Sequence, residues 1–476
     1  MRVDDFDITA ELDKVLGQAG LARDQAVRDL VITGADPLLD STIRLGSAIG
    51  IALLAAAVGV AQVHWTRTGT AQRLELDLGQ ALHRLSPYLG AATRLNGYGA
   101  NMGSLLGTDG LAPAIWDFYR TRDDRWVIPI ACYPRPRDAL LDLLGCAHTR
   151  EHLGAAIAGW TAAELEEAAA ARGVPLAMAR THAEFLRHPQ GQAVLTEPLV
   201  AVERIGDGPP RPLPVGDRPL TGLRCLAYTH IFAGTAAART LAEHGADVLH
   251  VCEPDDFEHD LCWQETAIGL RSARLSLRDD PARRRFAELL RDADVFVHNH
   301  RPAKLARLGL SPQECAAAAP GLIYCSVRCY GHTGPWRERG GFDHQAQALV
   351  GFSLRDGPRP ALPPGRMLND YLAAYLAAAG VLAALLRRAE DGGSYLVRVS
   401  LAGAANWAWD LGATDPAGLT GARVPEPEWL VHQTSLGELR HPAPPVRFSH
   451  TPSGWPGAVL VPRGSSRAAW SAKGTR

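Results

Sequence analysis

An aspartate at the start of a long apolar run is the residue of this sequence best placed for covalent chemistry. Asp370 directly precedes the run that reaches Leu386. We predict a helix here with Asp370 at its N-cap, where an aspartate accepts orphan backbone N–H groups and stabilises the helix by ~1 kcal/mol. The same helix terminus keeps a carboxylate ionised at neutral pH, as a nucleophile requires. The spacing alone therefore leaves both roles open.

Polar side chains that suit an anion follow one predicted strand. Asn299, Arg301 and Arg307 lie just after it, and a guanidinium fork matches two phosphate oxygens. Ordinary surface charge is the alternative for both arginines. His298 and His300 flank Asn299, but no carboxylate or Cys partner is evident, so we expect no metal.

A glycine-rich basic loop, residues 326–351, carries Asp343. Loops of this composition wrap a ligand or a neighbouring subunit, and a plain connection is the alternative. The first strand-to-helix turn of this half of the chain, YTHIFAGTAAA, has one glycine instead of G-x-G-x-x-G. A nicotinamide cofactor is therefore poorly supported, and the P-loop pattern is absent as well.

Alternating strand and helix patterns position these residues. We predict strands at 223–229, 247–251, 271–277, 294–299 and 322–327, and helices at 233–245, 280–293 and 311–321. This alternation indicates βαβ units, so the predicted fold class is α/β with a parallel sheet. Right-handed crossovers place the loops that follow the strands along one edge, where ligands bind.

The clearest domain boundary is a linker at 206–219, with five prolines and three glycines. Such a segment continues neither a helix nor a central strand. It divides residues 1–205 from residues 220–476. The first region is less regular, with an Ala-rich helix, predicted strands at 74–78 and 125–134, and a predicted helix at 161–173.

A weak internal repeat relates the two regions. A shift of 323 residues aligns Leu45–Ala81 with the Asp370 segment, with nine of thirty-seven positions identical. The shared order of helix, glycine turn and strand supports the repeat better than the identities. Ser47 then aligns with Asp370. The first copy has no carboxylate at this position, so we expect one catalytic aspartate per chain.

Composition limits the partners and the compartment. The formal net charge of −2 gives no electrostatic case for nucleic acid. Gly46–Val63 has eighteen uncharged residues, the lower limit for a membrane span. It lacks interfacial anchors, so we expect a buried helix and no membrane. The eight cysteines show no ligand spacing, and we expect a cytoplasmic protein with free thiols.

Four segments together resemble the family III CoA-transferases, which include formyl-CoA and carnitine CoA-transferases and the α-methylacyl-CoA racemases. They are residues 222–251, 293–310, 322–351 and the Asp370 helix. The resemblance implies a Rossmann-like open sheet with helices on both faces, a smaller α/β domain and an interlocked homodimer. Residues 119–145 and 161–191 resemble the family's C-terminal half. The two halves are therefore expected in swapped order.

The resemblance also implies roles for individual residues. Asp370 falls on the family's catalytic aspartate. Positions that match coenzyme contacts are Phe232, Ala233, Asn299, His300, Arg301, Arg307, Arg328, Cys329, Tyr330 and Gly331. Coenzyme A is then a substrate, and no permanently bound cofactor or metal is expected.

The implied reaction moves CoA from an acyl-CoA thioester to a carboxylic acid through an aspartyl-CoA intermediate. Two alternatives stand beside it. A racemase or related isomerase is disfavoured because Phe342 replaces the histidine of the racemases' His–Asp pair. A non-catalytic acyl-CoA-binding homologue is suggested by Phe232 and Glu253, where formyl-CoA transferase has a glutamine and an arginine.

Overall fold

The computed structural model describes residues 6–85, 93–99, 117–130, 132–364, 367–415, 419, 424–455 and 457–471. Its strands are β1 Val27–Thr33, β2 Gln72–Asp77, β3 Arg94–Leu95, β4 Tyr98–Gly99, β5 Tyr119–Arg120, β6 Trp126–Pro129, β7 Leu176–Met178, β8 Ala201–Gly206, β9 Arg224–Tyr228, β10 Asp247–Cys252, β11 Arg271–Arg274, β12 Val295–His298, β13 Ile323–Arg328, β14 Ser394–Ser400, β15 Trp429–Thr434, β16 Gly437–Pro442 and β17 Val446–Phe448. Its α-helices are α1 Ile8–Ala19, α2 Leu45–Thr68, α3 Leu78–Ala81, α4 Pro134–Leu144, α5 Arg150–Ile157, α6 Ala162–Ala171, α7 His182–Arg187, α8 Pro189–Thr196, α9 Phe232–Glu243, α10 Asp260–Thr266, α11 Asp280–Arg291, α12 Pro302–Arg307, α13 Pro312–Ala318, α14 Asp343–Val350, α15 Leu368–Asp391 and α16 Leu401–Asp410.

The second half of the chain, with β8 from the first half, builds a seven-stranded sheet in the order β11-β10-β9-β12-β13-β14-β8. The first six strands are parallel, and β8 joins the edge antiparallel to β14. Taken in chain order, the parallel strands run 3-2-1-4-5-6 across the sheet, which is the Rossmann order. The predicted α/β class and parallel sheet are confirmed. The neighbours β9 and β12 form the switch point, where a crevice opens at their carboxyl ends.

Burial on both faces explains the apolar runs that predicted these strands. All four residues of β12 are buried, as are five of the six residues of β13. Amphipathic α11 covers one face through Phe286, Leu289 and Leu290. Parallel strands between helix layers are expected to be apolar throughout rather than alternating.

Two long helices, α2 and α15, lie side by side in the core. Each has 24 residues, and their first residues, Leu45 and Leu368, are offset by the 323 residues of the predicted repeat. A Cβ added at Gly59 of α2 would lie 2.8 Å from the Cβ of Leu382 in α15, so glycine permits the close approach. Both helices are long and apolar enough to cross a membrane, and 94% and 83% of the apolar stretch that meets this test in α2 and α15 are buried inside the molecule.

Three smaller units, each with strands from the first half of the chain, accompany this sheet. Strands β1 and β2, which α2 connects, pair in parallel, and β17 pairs antiparallel with β2. Strands β15, β16, β3 and β4 form an antiparallel sheet. A small domain joins β5, β6 and β7 to α4, α5 and α6. It contacts α14, where the Arg180 N–H donates to the Ala348 carbonyl at 2.9 Å. Residues 207–219, within the predicted linker, carry neither helix nor strand.

Candidate active site

Asp370 is the third residue of α15, so the predicted N-cap position is wrong. The N-cap is Met367, whose side chain makes no capping hydrogen bond. A carboxylate from α14 substitutes for it, since Asp343 accepts the Asp370 N–H at 2.7 Å. Because another residue caps the helix, the Asp370 side chain is not used as a cap and lines a cavity instead.

Asp343 and Asp370 form a pair of buried carboxyl groups with different surroundings. The relative exposure of Asp343 is 0% and that of Asp370 is 6%. Asp343 also accepts the Asn369 amide at 3.3 Å and the Gln347 amide. Burial raises the pKa of Asp343, and these donors partly offset the rise. Burial and then the charge of Asp343 raise the pKa of Asp370 well above its ordinary range, opposed by the Ala233 N–H.

The Ala233 N–H comes from the turn between β9 and α9. Phe232 and Ala233 are the first two residues of α9, and the Phe232 ring lies 5.7 Å from the Tyr371 ring. Both predicted residues therefore lie beside Asp370 rather than in the arginine-rich groove described below. An N–H at a helix N-terminus suits an oxyanion that develops next to the carboxyl group.

An apolar cavity opens beside the Asp370 carboxyl group. The side chains that line it with Asp370 are Ile130, Cys132, Tyr133, Ile231, Phe232, His259, Cys262, Phe342 and Met367. They come from both halves of the chain. A largely apolar wall with one carboxyl group fits an acyl chain whose reacting carbonyl lies against that carboxyl group.

A basic groove lies at the carboxyl ends of β12 and β13. It is lined by Asn299, His300, Arg301, Pro302, Arg328, Cys329, Tyr330, Gly331, Trp336, Arg337, Arg339, Gly340 and Gly341. Seven of the predicted coenzyme contacts are thus brought together. The Arg328 Nε is buried and has no hydrogen-bond partner among the described residues. An unpartnered guanidinium in a basic groove suits a phosphate.

The groove and the cavity meet near Cys329. Its thiol donates to the Phe342 carbonyl at 3.4 Å, and a Cβ added at Gly341 would lie 2.6 Å from the Cys329 sulfur. Gly341 lines the groove, and its neighbour Phe342 lines the cavity. A groove that suits an anion and a cavity that suits an acyl group are thus neighbours.

The structure separates Arg307 from the other predicted residues. It is the exposed last residue of α12 and does not line the groove. Arg337 and Arg339 line the groove, although sequence reasoning named only their loop as basic. Arg339 pairs with Glu167 and lies 4.2 Å over the Trp336 ring. Their position in a Gly-rich loop after β13 was the available signal.

Of the two histidines around Asn299, His298 is buried and His300 is half-buried, and both are neutral. Burial lowers the pKa of His298 to about 3 and that of His300 well below its ordinary value. Asn299 itself holds the β9–α9 turn, because its side chain accepts the His230 N–H at 2.9 Å and donates to the His230 carbonyl at 2.6 Å. Within the described ranges, no group of three or more His, Cys, Asp or Glu residues is arranged to hold a metal ion.

Comparison with known proteins finds a family similar to the part of the chain that holds this arrangement. The model of CoA-transferase family III matches residues 220–452. This range holds every predicted site residue. We call residues 220–452, the range that matches this family, the family III region. The family III region thus contains the carboxyl pair, the turn above it and the basic groove.

Two curated relatives of the family III region are named as CoA-transferases. The succinyl-CoA–L-malate CoA-transferase alpha subunit of Chloroflexus aurantiacus is 34% identical over 199 residues, which cover 38% of this chain and 46% of that protein. The succinyl-CoA:glutarate CoA-transferase of Mus musculus is 31% identical over 198 residues, which cover 39% and 45%. The chain thus spans less than half the length of these relatives.

A solved CAIB/BAIF family protein from Brucella suis is also similar. It is 24% identical, with a TM-score of 0.38, and the match covers 47% of this chain and 65% of that one.

Proposed function

We propose that this protein is a CoA-transferase that moves CoA from an acyl-CoA thioester to a carboxylic acid. The observation that carries the proposal is the Asp370 carboxyl group. It is not used as a helix cap, it lies between an apolar cavity and a backbone N–H donor, and a basic groove adjoins the cavity. The relatives named as CoA-transferases support the same reaction class.

The first half-reaction transfers CoA to the protein. Asp370 first loses the proton that its raised pKa favours. Its carboxylate then attacks the thioester carbonyl, the C–S bond breaks, and an acyl–aspartyl anhydride and the CoA thiolate result. The thiolate then attacks the aspartyl carbonyl, which releases the donor carboxylate and leaves an aspartyl-CoA thioester. After the initial deprotonation, no net proton is gained or lost.

The second half-reaction repeats these steps with the acceptor. Its carboxylate attacks the aspartyl-CoA carbonyl and releases the thiolate, which attacks the acceptor side of the new anhydride. The products are acceptor acyl-CoA and the free Asp370 carboxylate. The Ala233 N–H stabilises oxyanions formed at the aspartyl carbonyl, and Arg301 and Arg328 hold coenzyme phosphates so that the sulfur stays in place.

The carboxyl pair favours transfer over racemisation. A racemase needs two acid–base groups on opposite sides of the α-carbon. Asp343 is fully buried and bound to backbone and amide donors, and the preceding residue, Phe342, does not titrate. Incubation of an acyl-CoA in deuterated water without acceptor acid distinguishes the two reactions, because only a racemase incorporates deuterium at the α-carbon.

The test of the proposed function is an exchange assay. The protein is incubated with succinyl-CoA, chosen because both relatives carry that donor in their names, and with a mixture of carboxylic acids. Mass spectrometry then identifies any new acyl-CoA. Asp370→Asn should fold normally and form none. A folded Asp370→Asn variant that forms products at the wild-type rate would remove Asp370 from the mechanism.

We also propose that the protein acts as a cytoplasmic homodimer with no membrane attachment. The interlocked dimer follows from the family resemblance. The eight cysteines are free thiols, which is typical of a reducing compartment. Light scattering after size-exclusion chromatography checks the dimer.

A further inference from the structure

The turn that delivers the Ala233 N–H is sterically strained. Ile231 has φ 57° and ψ −153°, a region that a β-branched residue rarely occupies. The helix begins at the next residue, and Ala233 follows one position later. The direction of the Ala233 N–H therefore depends on groups that keep Ile231 in this conformation.

Two polar side chains hold the strained turn from outside it. Asn299 bonds both backbone groups of His230, as described above. Glu258 accepts the Ile231 N–H at 3.0 Å through Oε2. The Glu258 side chain is 6% exposed, so solvent provides little competition for this bond. Glu258 precedes α10 and belongs to none of the motifs in the sequence.

The second oxygen of Glu258 reaches the first half of the chain. The Tyr133 hydroxyl donates to Oε1 at 3.0 Å. Burial, followed by the nearby Glu258, raises the pKa of Tyr133 well above its ordinary value, so the hydroxyl keeps its proton. The Tyr133 ring stacks on Phe342, with centroids 5.8 Å apart. One buried carboxylate thus connects a wall of the cavity to the strained turn.

We propose that Glu258 is a positioning residue that keeps Ile231 strained and so aims the Ala233 N–H at the Asp370 carboxyl group, with Tyr133 linking this hold to the first half of the chain. The inference rests on the proposed function. It adds a residue that acts through the backbone and touches no substrate. Glu258 lines neither the cavity nor the groove.

Two substitutions of Glu258 test the proposal: alanine removes the carboxylate, and glutamine replaces it with an amide. Glu258→Ala deletes the hydrogen bonds from Ile231 and Tyr133, and also a third from the His259 N–H, which donates to Oε1 at 3.0 Å. We expect kcat to fall about tenfold or more while KM for acyl-CoA stays within twofold. Glu258→Gln keeps an acceptor for the Ile231 N–H, and its amide donates to the Tyr133 oxygen, while the His259 N–H loses its acceptor. We expect it to retain kcat within threefold.

The chain supplies a matched control in Glu253. Its carboxylate is also buried and also accepts a tyrosine hydroxyl and a backbone N–H, at 2.9 Å from Tyr228 and 3.2 Å from Leu277. Glu253→Ala therefore removes the same kinds of bonds away from the strained turn. We expect it to lower the melting temperature while kcat stays within threefold. Equal kcat losses in Glu258→Ala and Glu253→Ala would overturn the positioning role.

Tyr133→Phe tests the link to the first half. We expect a smaller kcat loss than in Glu258→Ala, and no added loss when both changes are combined, because Tyr133 acts through Glu258. Additive losses would overturn the link.

Amide hydrogen exchange over residues 229–235 separates this inference from the proposed function. We expect faster exchange in Glu258→Ala and wild-type exchange in Glu258→Gln and Glu253→Ala. If the wild-type protein transfers no CoA, the proposed function is rejected. The amide hydrogen-exchange rates would still test whether Glu258 holds the turn. Unchanged rates in Glu258→Ala would overturn that hold.

Discussion

The starts of α2 and α15 are built alike and differ in one carboxyl group. At α2, Asp36 accepts the Gly46 N–H at 2.9 Å, the Ser47 N–H at 2.7 Å and the Ser47 hydroxyl at 2.7 Å. At α15, Asp343 accepts the Asp370 N–H at 2.7 Å. Ser47 and Asp370 are each the third residue of a 24-residue helix. Both helices are therefore capped by an aspartate from another segment.

The difference shows how a structural cap becomes a reactive site. The Ser47 hydroxyl donates a hydrogen bond to the capping aspartate, Asp36, and this bond completes a local network. An ionised Asp370 has no proton with which to donate such a bond. Its carboxyl group instead lies buried beside that of Asp343. Burying two such groups costs stability, and a cost of this kind is expected where chemistry requires it. The predictions below test whether the two helix starts differ in this way.

The largest effect should come from the third position itself. Asp370→Ser gives α15 the residue that α2 carries, and we expect CoA exchange to fall by about a thousandfold or more, because the nucleophile is lost. The measurement is the rate of product formation by mass spectrometry. Ser47→Ala is the matched control and should keep the wild-type rate. Activity above a tenth of wild type in Asp370→Ser would contradict the comparison.

The second-largest difference should be between the effects of replacing the two capping aspartates, Asp343 and Asp36. Asp343→Asn weakens the acceptor of the Asp370 N–H and removes the neighbouring charge, so we expect kcat to fall by roughly a hundredfold. Asp36→Asn should leave kcat unchanged and lower the free energy of unfolding by about 1 kcal/mol. Steady-state kinetics and urea unfolding measure the two outcomes. A comparable kcat loss in Asp36→Asn would show that the two caps are not functionally distinct.

The basic groove lies in the family III region, and no residue of α2 lines it. Arg328→Gln should raise KM for acyl-CoA about tenfold with a small change in kcat, since it removes a charge-assisted contact to phosphate. Arg307→Gln, at the exposed end of α12, should change neither value. Initial rates at varied acyl-CoA concentration check both. An equal rise of KM in Arg307→Gln would restore Arg307 to the coenzyme site.

The smallest effect concerns stability and pH. The pKa of Asp370 is raised in the folded chain, from about 3.9 in an unfolded one, by burial and by Asp343. The folded state therefore holds a proton that the unfolded state releases as the pH rises past that value. Stability contributed by this group is lost as the pH rises through the window above about 4.

Asp370→Asn should remove that loss. We expect its free energy of unfolding to exceed that of the wild type by about 1 kcal/mol or more at pH 8, with the difference vanishing toward pH 4. Urea unfolding at several pH values measures it. Ser47→Ala should show no such pH-dependent difference. A gap that grows as the pH falls would reverse the assigned direction of the pKa shift.

Sequence reasoning predicted the sheet well because its strands are short apolar runs separated by clear turn and cap residues. Ser311, for example, begins the predicted helix at 311–321 and forms a capping box with Glu314. The start of α15 was placed wrongly, since an aspartate on another helix caps it and no local pattern shows that. The bond between Glu258 and Tyr133 joins residues 125 apart in the chain, so no local pattern predicted it. Arg307 followed the family motif, but it is exposed and is not among the residues that line the groove.

The central claim is that CoA becomes covalently attached to Asp370. The direct measurement incubates the protein with succinyl-CoA, treats it with hydroxylamine and analyses the peptides by mass spectrometry. We predict a hydroxamate at Asp370 in the wild-type protein and none in Asp370→Asn or in a sample without acyl-CoA. A protein that exchanges CoA at full rate while Asp370 stays unlabelled, or that is labelled at another carboxyl group, would contradict the account.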